Sequence, residues 1–205
     1  QLGPYEEYVT KYFGFDKVLP MNTGAEAVET ALKLCRKWAY EVKGIPENEA
    51  QIIVCENNFH GRTTTIISFS NDETARKNFG PFTNGFIKIP YDDVEALTSV
   101  LKSSKNIAGF LVEPIQGEAG VYVPTEGYLA KAKALCAAHN VLFIADEVQQ
   151  LGVYGSSLVY EEPNWQVGDE VGFKTIHYPS YIAVLTKAIQ ELSAEVEALK
   201  AQLKV

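Results

Sequence analysis

The sequence lacks the features that mark membrane, secreted and nucleic-acid-binding proteins. Its 205 residues include no apolar run long enough to span a bilayer, and the first residues do not form a signal peptide. Acidic residues outnumber basic ones by 26 to 18, and a net charge of -8 disfavours nucleic acid or an anionic membrane as a partner.

Cysteine is also scarce, and the positions of the three cysteines do not suggest a metal site. The three cysteines, Cys35, Cys55 and Cys136, lie in apolar patterns and form no Cys-x-x-Cys pair. This placement predicts buried free thiols and suggests no zinc site. We therefore expect the cytoplasm or another reducing compartment, such as the mitochondrial matrix.

The chain contains an alternation of helical and strand-like patterns. A hydrophobic content of 46% allows one domain with a substantial core, and Gln1 begins within a pattern, so we expect a fragment of a longer protein. Helical spacing is found in 5–13, 28–38, 94–101 and 127–139, with Asp92 as the expected cap of the third helix. Short strands are predicted at 51–55, 87–89, 107–112 and 141–145. This order predicts an α/β fold with a mainly parallel sheet and flanking helices.

The last of these strands ends at two carboxylates, Asp146 and Glu147. Ligands of parallel sheets bind beyond the carboxyl ends of the strands. Asp146 therefore has two interpretations. It is either an acid solvated at a strand end or the partner of a positively charged ligand group, such as the protonated ring nitrogen of a cofactor.

Two further segments could contribute to the same edge of the sheet. Asn22 or Thr23 is the expected cap of a helix whose first residues, including Gly24, could bind a phosphate, although plain helix capping explains the same residues. In the loop after the strand 51–55, Phe59 could stack on a flat ring and Arg62 could bind a carboxylate. A core phenylalanine and a solvated arginine are the other interpretations, and His60 is assigned no role.

Five motifs in this order resemble the large domain of class III aminotransferases of the ornithine aminotransferase type. The motifs are Met-Asn-Thr-Gly-Ala-Glu-Ala at 21–27, Asn-Phe-His-Gly-Arg at 58–62, Phe-Gly-Pro-Phe at 79–82, Val-Glu-Pro-Ile-Gln-Gly-Glu-Ala-Gly at 112–120 and Phe-Ile-Ala-Asp-Glu-Val-Gln at 143–149. The resemblance covers nearly all of residues 1–149. It implies a fold-type I enzyme that uses pyridoxal 5'-phosphate to move the side-chain amino group of ornithine to 2-oxoglutarate.

The resemblance also implies a role for each matching residue. Gly24 and Ala25 would hold the cofactor phosphate, Phe59 would stack on the pyridine ring, Asp146 would pair with the ring nitrogen and Gln149 would lie beside the ring hydroxyl.

On the substrate side, Arg62 would bind a carboxylate and Glu118 would help to distinguish the two ends of the substrates. Glu113 and Glu147 match the family as well, and we expect them to have supporting roles.

Beyond Gln149 the resemblance ends before the lysine that forms a Schiff base with the cofactor in that family. Val-Leu-Thr-Lys-Ala-Ile at 184–189 imitates the local sequence of that lysine. Lys187 nevertheless lies farther from Asp146 than in the family and within a helix of another kind. We therefore identify no catalytic residue, and we expect the chain to be inactive alone.

That helix carries a heptad pattern, which predicts a coiled coil and a homo-oligomer. The seam consists of Ile182, Leu185, Ile189, Leu192, Val196, Leu199 and Leu203. Residues from about 144 to 205 resemble the end of the phage tail-spike chaperone domain of the endosialidase type. We accordingly expect three parts: an aminotransferase segment at 1–149, a connecting β/loop segment at 150–178 and a coiled-coil helix at 179–205. The alternative to an enzymatic function is that the chain is an assembly module, which forms homo-oligomers through this helix.

Overall fold

A computed structural model of the chain describes residues 2–147, 157–161 and 175–177. Gln149, Lys187, the heptad region 182–203 and most of the connecting segment lie outside these residues. The helices are α1 (Leu2–Phe13), α2 (Gly24–Glu41), α3 (Glu73–Arg76), α4 (Val94–Ser103) and α5 (Tyr128–Ala138). The strands are β1 (Leu19–Met21), β2 (Gln51–Cys55), β3 (Phe86–Ile89), β4 (Ile107–Val112), β5 (Leu142–Asp146), β6 (Ser157–Glu161) and β7 (Thr175–His177).

The strands form one seven-stranded sheet in the order β1-β7-β6-β5-β4-β2-β3. β2, β3, β4 and β5 pair in parallel, as do β1 and β7, whereas β6 pairs antiparallel to both of its neighbours. The prediction of an α/β fold with a mainly parallel sheet is confirmed. Because β5 lies between β4 and β6, its carboxyl end is in the middle of the sheet, where neighbouring loops can converge on it.

The sheet is covered on both faces because its central strands are apolar along most of their length, the polar residues being Gln51 at the start of β2 and Asp146 at the end of β5. Ile52 and Val54 of β2 face the cluster built on α2, whereas Ile53 and Cys55 face the cluster built on α4 and α5. All six residues of β4 are buried. A strand that is buried on both faces needs apolar residues at successive positions, whereas a half-exposed strand alternates apolar and polar residues.

Close packing of α2 on the sheet depends on one glycine. A Cβ atom at Gly109 of β4 would lie 2.7 Å from the Sγ atom of Cys35. The three cysteines are buried and free, as predicted, and burial raises the pKa of each thiol to about 12.

The expected cap of α4 is wrong by one residue. The side chain of Asp93, not that of Asp92, accepts a hydrogen bond from the N–H of Ala96 at 2.8 Å. Asp92 adopts a left-handed φ of 63°, and its carboxylate accepts hydrogen bonds from the N–H and hydroxyl of Thr125. Its carboxylate therefore ties the start of α4 to the segment before α5.

The described part of the chain has neither a membrane-spanning helix nor a cluster of metal-binding side chains. Within it, no helix has the length and apolarity needed to span a membrane. Nor do residues 2–147, 157–161 and 175–177 contain a group of three or more histidine, cysteine or acidic side chains that could hold a metal ion.

Candidate functional site

Three polar segments meet at the carboxyl edge of the parallel strands. The loop 56–63 follows β2, the loop 113–120 follows β4, and Asp146 is the last residue of β5. Parallel pairing of β2, β4 and β5 brings these ends to the same edge. The amino end of α2 reaches the same edge because α2 follows the short strand β1.

Asp146 is buried, with 3% of its surface exposed, and it contacts a histidine from the neighbouring loop. The Nδ1 atom of His60 lies 2.8 Å from the Oδ2 atom of Asp146, and His60 is only 4% exposed. The sequence assigns His60 no role, and the structure places it against Asp146, one of the predicted site residues. Burial also removes the interpretation of Asp146 as an acid solvated at a strand end.

The electrostatics of this pair shift the pKa of His60 upward. Burial alone lowers the pKa of His60, but the hydrogen bond to Asp146, the charge of Asp146 and the charge of Glu113 raise it by more, so the net pKa is raised. Because a carboxylate only accepts hydrogen bonds, the Nδ1–H of His60 donates to Asp146, whereas the Nε2 atom of His60 is buried and has no partner among the described residues. His60 thereby fixes the orientation of the Asp146 carboxylate.

Glu113 connects the loop after β4 to the loop after β2. Its Oε2 atom accepts a hydrogen bond from the backbone N–H of Phe59 at 3.1 Å, and the residue is 7% exposed. Burial raises the pKa of Glu113 from 4.5 to about 7; the charge of His60 and the bond from Phe59 oppose this rise, and the charges of Asp146 and Glu118 add to it. Glu113, His60 and Asp146 therefore form one electrostatically coupled group.

A second contact joins the same two loops. The side-chain amide of Gln116, which is 2% exposed, donates to the carbonyl of Glu56 at 2.9 Å, and the backbone of Gln116 pairs with Tyr122. Glu118 lies within the turn between Gln116 and Tyr122 and is exposed. The backbone pairing and the Gln116 side chain thus set where the carboxylate of Glu118 is presented.

A cleft of ≈ 430 Å³ lies between these loops, and it brings together Phe59, Arg62 and Glu118, three of the residues predicted from the sequence. His60 and Gly61 also line it. The Cζ atom of Arg62 lies 5.1 Å from the centroid of the Phe59 ring, a cation–π distance. The cleft therefore presents an aromatic face, a guanidinium group and a carboxylate together.

The amino end of α2 is capped within its own sequence. Thr23 accepts a hydrogen bond from the N–H of Glu26 at 3.1 Å, and the carboxylate of Glu26 accepts one from the N–H of Asn22 at 3.0 Å. Thr23 is thus the cap, one of the two residues predicted. The first N–H groups of the helix, those of Gly24 and Ala25, have no partner within the helix geometry and are available to an anion.

Gly61 brings the loop after β2 against this helix end. Its φ is +125°, and a Cβ atom there would lie 2.9 Å from the Cβ atom of Ala25. Gly24 and Ala25 do not line the ≈ 430 Å³ cleft, but Ala25 contacts Gly61, which does. Asp146 likewise adjoins the cleft through His60.

Comparison with known proteins gives a consistent set of relatives. Residues 1–157 match the family described as Aminotransferase class-III. Ornithine aminotransferase from Plasmodium falciparum is 60% identical over 148 residues, which are 72% of this chain and 36% of that protein.

Two solved structures are similar as well. Ornithine aminotransferase from Toxoplasma gondii aligns with a TM-score of 0.70 and 56% identity, covering 72% of this chain and 35% of that one. Acetylornithine aminotransferase from Elizabethkingia anophelis aligns with a TM-score of 0.60 and 70% identity, covering 72% of this chain and 35% of that one. The chain thus spans about a third of the length of these relatives.

Proposed function

This chain belongs to the class III aminotransferases, a family that uses pyridoxal 5'-phosphate, and we propose on that basis that it binds this cofactor. The observation that carries the proposal is the state of Asp146. Its Oδ2 atom contacts His60, whereas its Oδ1 atom is buried and has no hydrogen-bond partner among the described residues. A buried carboxylate oxygen without a donor is costly, and the protonated nitrogen of a pyridine ring would supply that donor.

Two other features fit the rest of the cofactor. The phosphate would accept hydrogen bonds from the N–H groups of Gly24 and Ala25 at the positive end of the α2 dipole. The half-buried ring of Phe59 would cover one face of the pyridine ring, and Gln149 would lie beside the ring hydroxyl. When bound, pyridoxal 5'-phosphate supplies a ring that accepts electrons as a substrate C–H bond breaks, and an anionic Asp146 keeps the ring nitrogen protonated for that purpose.

The substrate class follows from the two charged groups of the cleft. The guanidinium of Arg62 would hold a substrate carboxylate, and Glu118 on the opposite loop would distinguish an amino end from a carboxylate end. This combination suits an amino acid that carries a second amino group, together with a 2-oxo acid. We propose ornithine and 2-oxoglutarate, with the side-chain amino group as the one transferred.

The chain alone is proposed to lack turnover. The lysine that holds the cofactor in the family has no recognisable counterpart in its sequence, and Lys187 lies in the heptad region instead. We propose that residues 1–149 form the aminotransferase segment, 150–178 the connection and 179–205 a coiled coil. The regular heptads at 182–203 favour a second function, homo-oligomerisation in the manner of a phage chaperone tail.

Titration with pyridoxamine 5'-phosphate tests cofactor binding, because this probe cannot form a Schiff base with any lysine. We expect saturable binding by calorimetry, weakened about tenfold or more by Asp146→Ala, since a charged hydrogen bond is worth about 1.5–3 kcal/mol. Asp16→Ala, at an exposed position, is the matched control and should bind as the parent does. Absence of binding by the parent would refute the proposal.

Reduction with borohydride after mixing with pyridoxal 5'-phosphate tests the missing lysine. We expect no stoichiometric adduct at a single lysine. A full adduct on Lys187, located by peptide mapping, would instead identify Lys187 as the cofactor-binding lysine.

A further inference from the structure

We propose that Glu113 is a positioning residue of the ring-binding site, which holds the backbone N–H of Phe59 and thereby fixes the aromatic face that covers the cofactor ring. This inference rests on the proposed function, because it concerns the ring that Phe59 would cover. It adds a role for Glu113 that depends on geometry, not on contact with the cofactor.

The first support is the way three consecutive residues of the loop after β2 are held. The side-chain amide of Asn58 donates to the carbonyls of Cys55 at 2.6 Å and Phe69 at 3.2 Å. His60 is held by Asp146 at 2.8 Å. Phe59, which lies between them, is held through its backbone by Glu113 at 3.1 Å, so its side chain remains available to line the cleft.

The second support is the position of Glu113 itself. It follows β4 directly, in the middle of the sheet, and is separated from Phe59 by 54 residues of sequence. The rigid strand therefore serves as the reference against which the loop is held. A ring that stacks on a ligand must keep its distance and tilt, and a backbone anchor on a sheet restricts both.

Charge offers a different explanation, because Glu113 also acts electrostatically on His60, whose pKa its charge raises. If Glu113 supported binding through its charge on His60, a shorter carboxylate at the same position would support binding as well, and a neutral amide would not. Two conservative substitutions separate the explanations. Glu113→Gln keeps the length and an acceptor oxygen but loses the charge, whereas Glu113→Asp keeps the charge but is one methylene shorter and withdraws the acceptor from Phe59.

The experiment measures binding of pyridoxamine 5'-phosphate to the full 205-residue chain by calorimetry. We expect Glu113→Gln to stay within about threefold of the parent and Glu113→Asp to bind about tenfold more weakly, since one hydrogen bond is lost. Glu49→Asp is the matched control, because Glu49 accepts a hydrogen bond from Asn106 at the opposite edge of the sheet. In a Phe59→Ala background the two Glu113 variants should bind alike, because no aromatic face remains to be positioned.

Amide hydrogen exchange at Phe59 gives a readout that needs no ligand. The N–H of Phe59 should be protected in the parent and in Glu113→Gln and should exchange faster in Glu113→Asp. Weaker binding by Glu113→Gln than by Glu113→Asp would overturn the inference. So would a difference in affinity between the two Glu113 variants that persists in the Phe59→Ala background. If the parent binds and both variants bind equally, only the inference fails, whereas a parent that does not bind refutes the proposed function and this role with it.

Discussion

His60 illustrates how a residue with an unremarkable sequence setting acquires a defined place in the fold. Its imidazole is almost wholly buried against Asp146, and both residues lie at the edge where the loops converge. Removing one member of a buried ion pair leaves the other uncompensated, which costs more than the pair itself contributes. The stability of the site therefore depends on this histidine.

We predict that His60→Ala destabilises the chain by about 3 kcal/mol, because Asp146 would remain buried without its partner. The free energy of unfolding, from urea titration, is the measurement. His139→Ala is the control and should change it by less than about 0.5 kcal/mol, since a substitution away from such a pair has little effect. Equal effects of the two substitutions would contradict an ion pair at His60.

Stability should also fall as the pH rises from about 4.5 through 7 and beyond. Burial raises the pKa of Glu113 and of Glu147 from 4.5 to about 7, and the charge of Asp146 adds to the shift at both residues. In this interval the folded chain retains protons that the unfolded chain releases, so deprotonation favours unfolding. His60, with its raised pKa, acts in the same direction, because its stabilising charge is lost as the pH rises through its folded value.

Urea midpoints measured at pH 5, 6, 7 and 8 test this dependence. Glu113→Gln should reduce the fall, because it removes one of the groups whose proton affinity differs between the two states. Stability that increases with pH over this range would show that other ionisations dominate.

The sequence was sufficient to identify some residues of the site and the helix caps, but not others. Asp146 could be identified because it ends a buried strand, a local pattern. His60 could not, because its partner is 86 residues away and no spacing rule connects them. Asp92 and Asp93 are chemically identical neighbours, and the distant contact of Asp92 with Thr125 leaves the cap of α4 to Asp93.

Among the elements, the junction between α2 and the loop after β2 has the least tolerance for change. Gly61 combines a left-handed backbone with contact to Ala25 at the first turn of α2. An L-residue there would meet both backbone strain and overlap with the helix.

We predict that Gly61→Ala destabilises the chain by about 1–3 kcal/mol and weakens binding of pyridoxamine 5'-phosphate, because the loop must move away from the helix end. Thermal unfolding and calorimetry are the measurements. Gly3→Ala, where a Cβ would meet nothing within 4 Å, should leave binding unchanged and stabilise slightly. Normal binding by Gly61→Ala would show that the loop and α2 move independently.

Element positions were more predictable than their connections. β2 and β4 have the predicted bounds, because short apolar runs, Ile52 to Cys55 and Ile107 to Val112, stand between polar residues and leave little choice. The order of strands could not be predicted in this way. β6 and β7, within the expected connecting segment, join the sheet between β5 and β1, a pairing between distant parts of the chain that local patterns do not encode.

For the whole molecule, the heptads at 182–203 predict self-association, although they lie outside the described residues. Isoleucine and valine at one seam position with leucine at the other favour a coiled coil of two helices, that is, a dimer. The resemblance to a phage chaperone implies a trimer, which is the state that we prefer. Leu192→Asp should abolish the oligomer, because a charge in the seam would be buried without a partner. Sedimentation equilibrium measures the oligomeric state of the parent and of this variant. A parent that stays monomeric at high concentration would exclude the intermolecular coiled coil.

The position of β5 has a consequence for the chain as it leaves the ribosome. β5 obtains its second neighbour from β6, and β1 pairs with β7 near residue 175. While only the first 147 residues are available, the backbone of a central, apolar strand therefore has one edge without a partner, and such an edge can pair with another chain. Synthesis that stalls or stops there would leave a nascent protein in need of a chaperone to cover that edge.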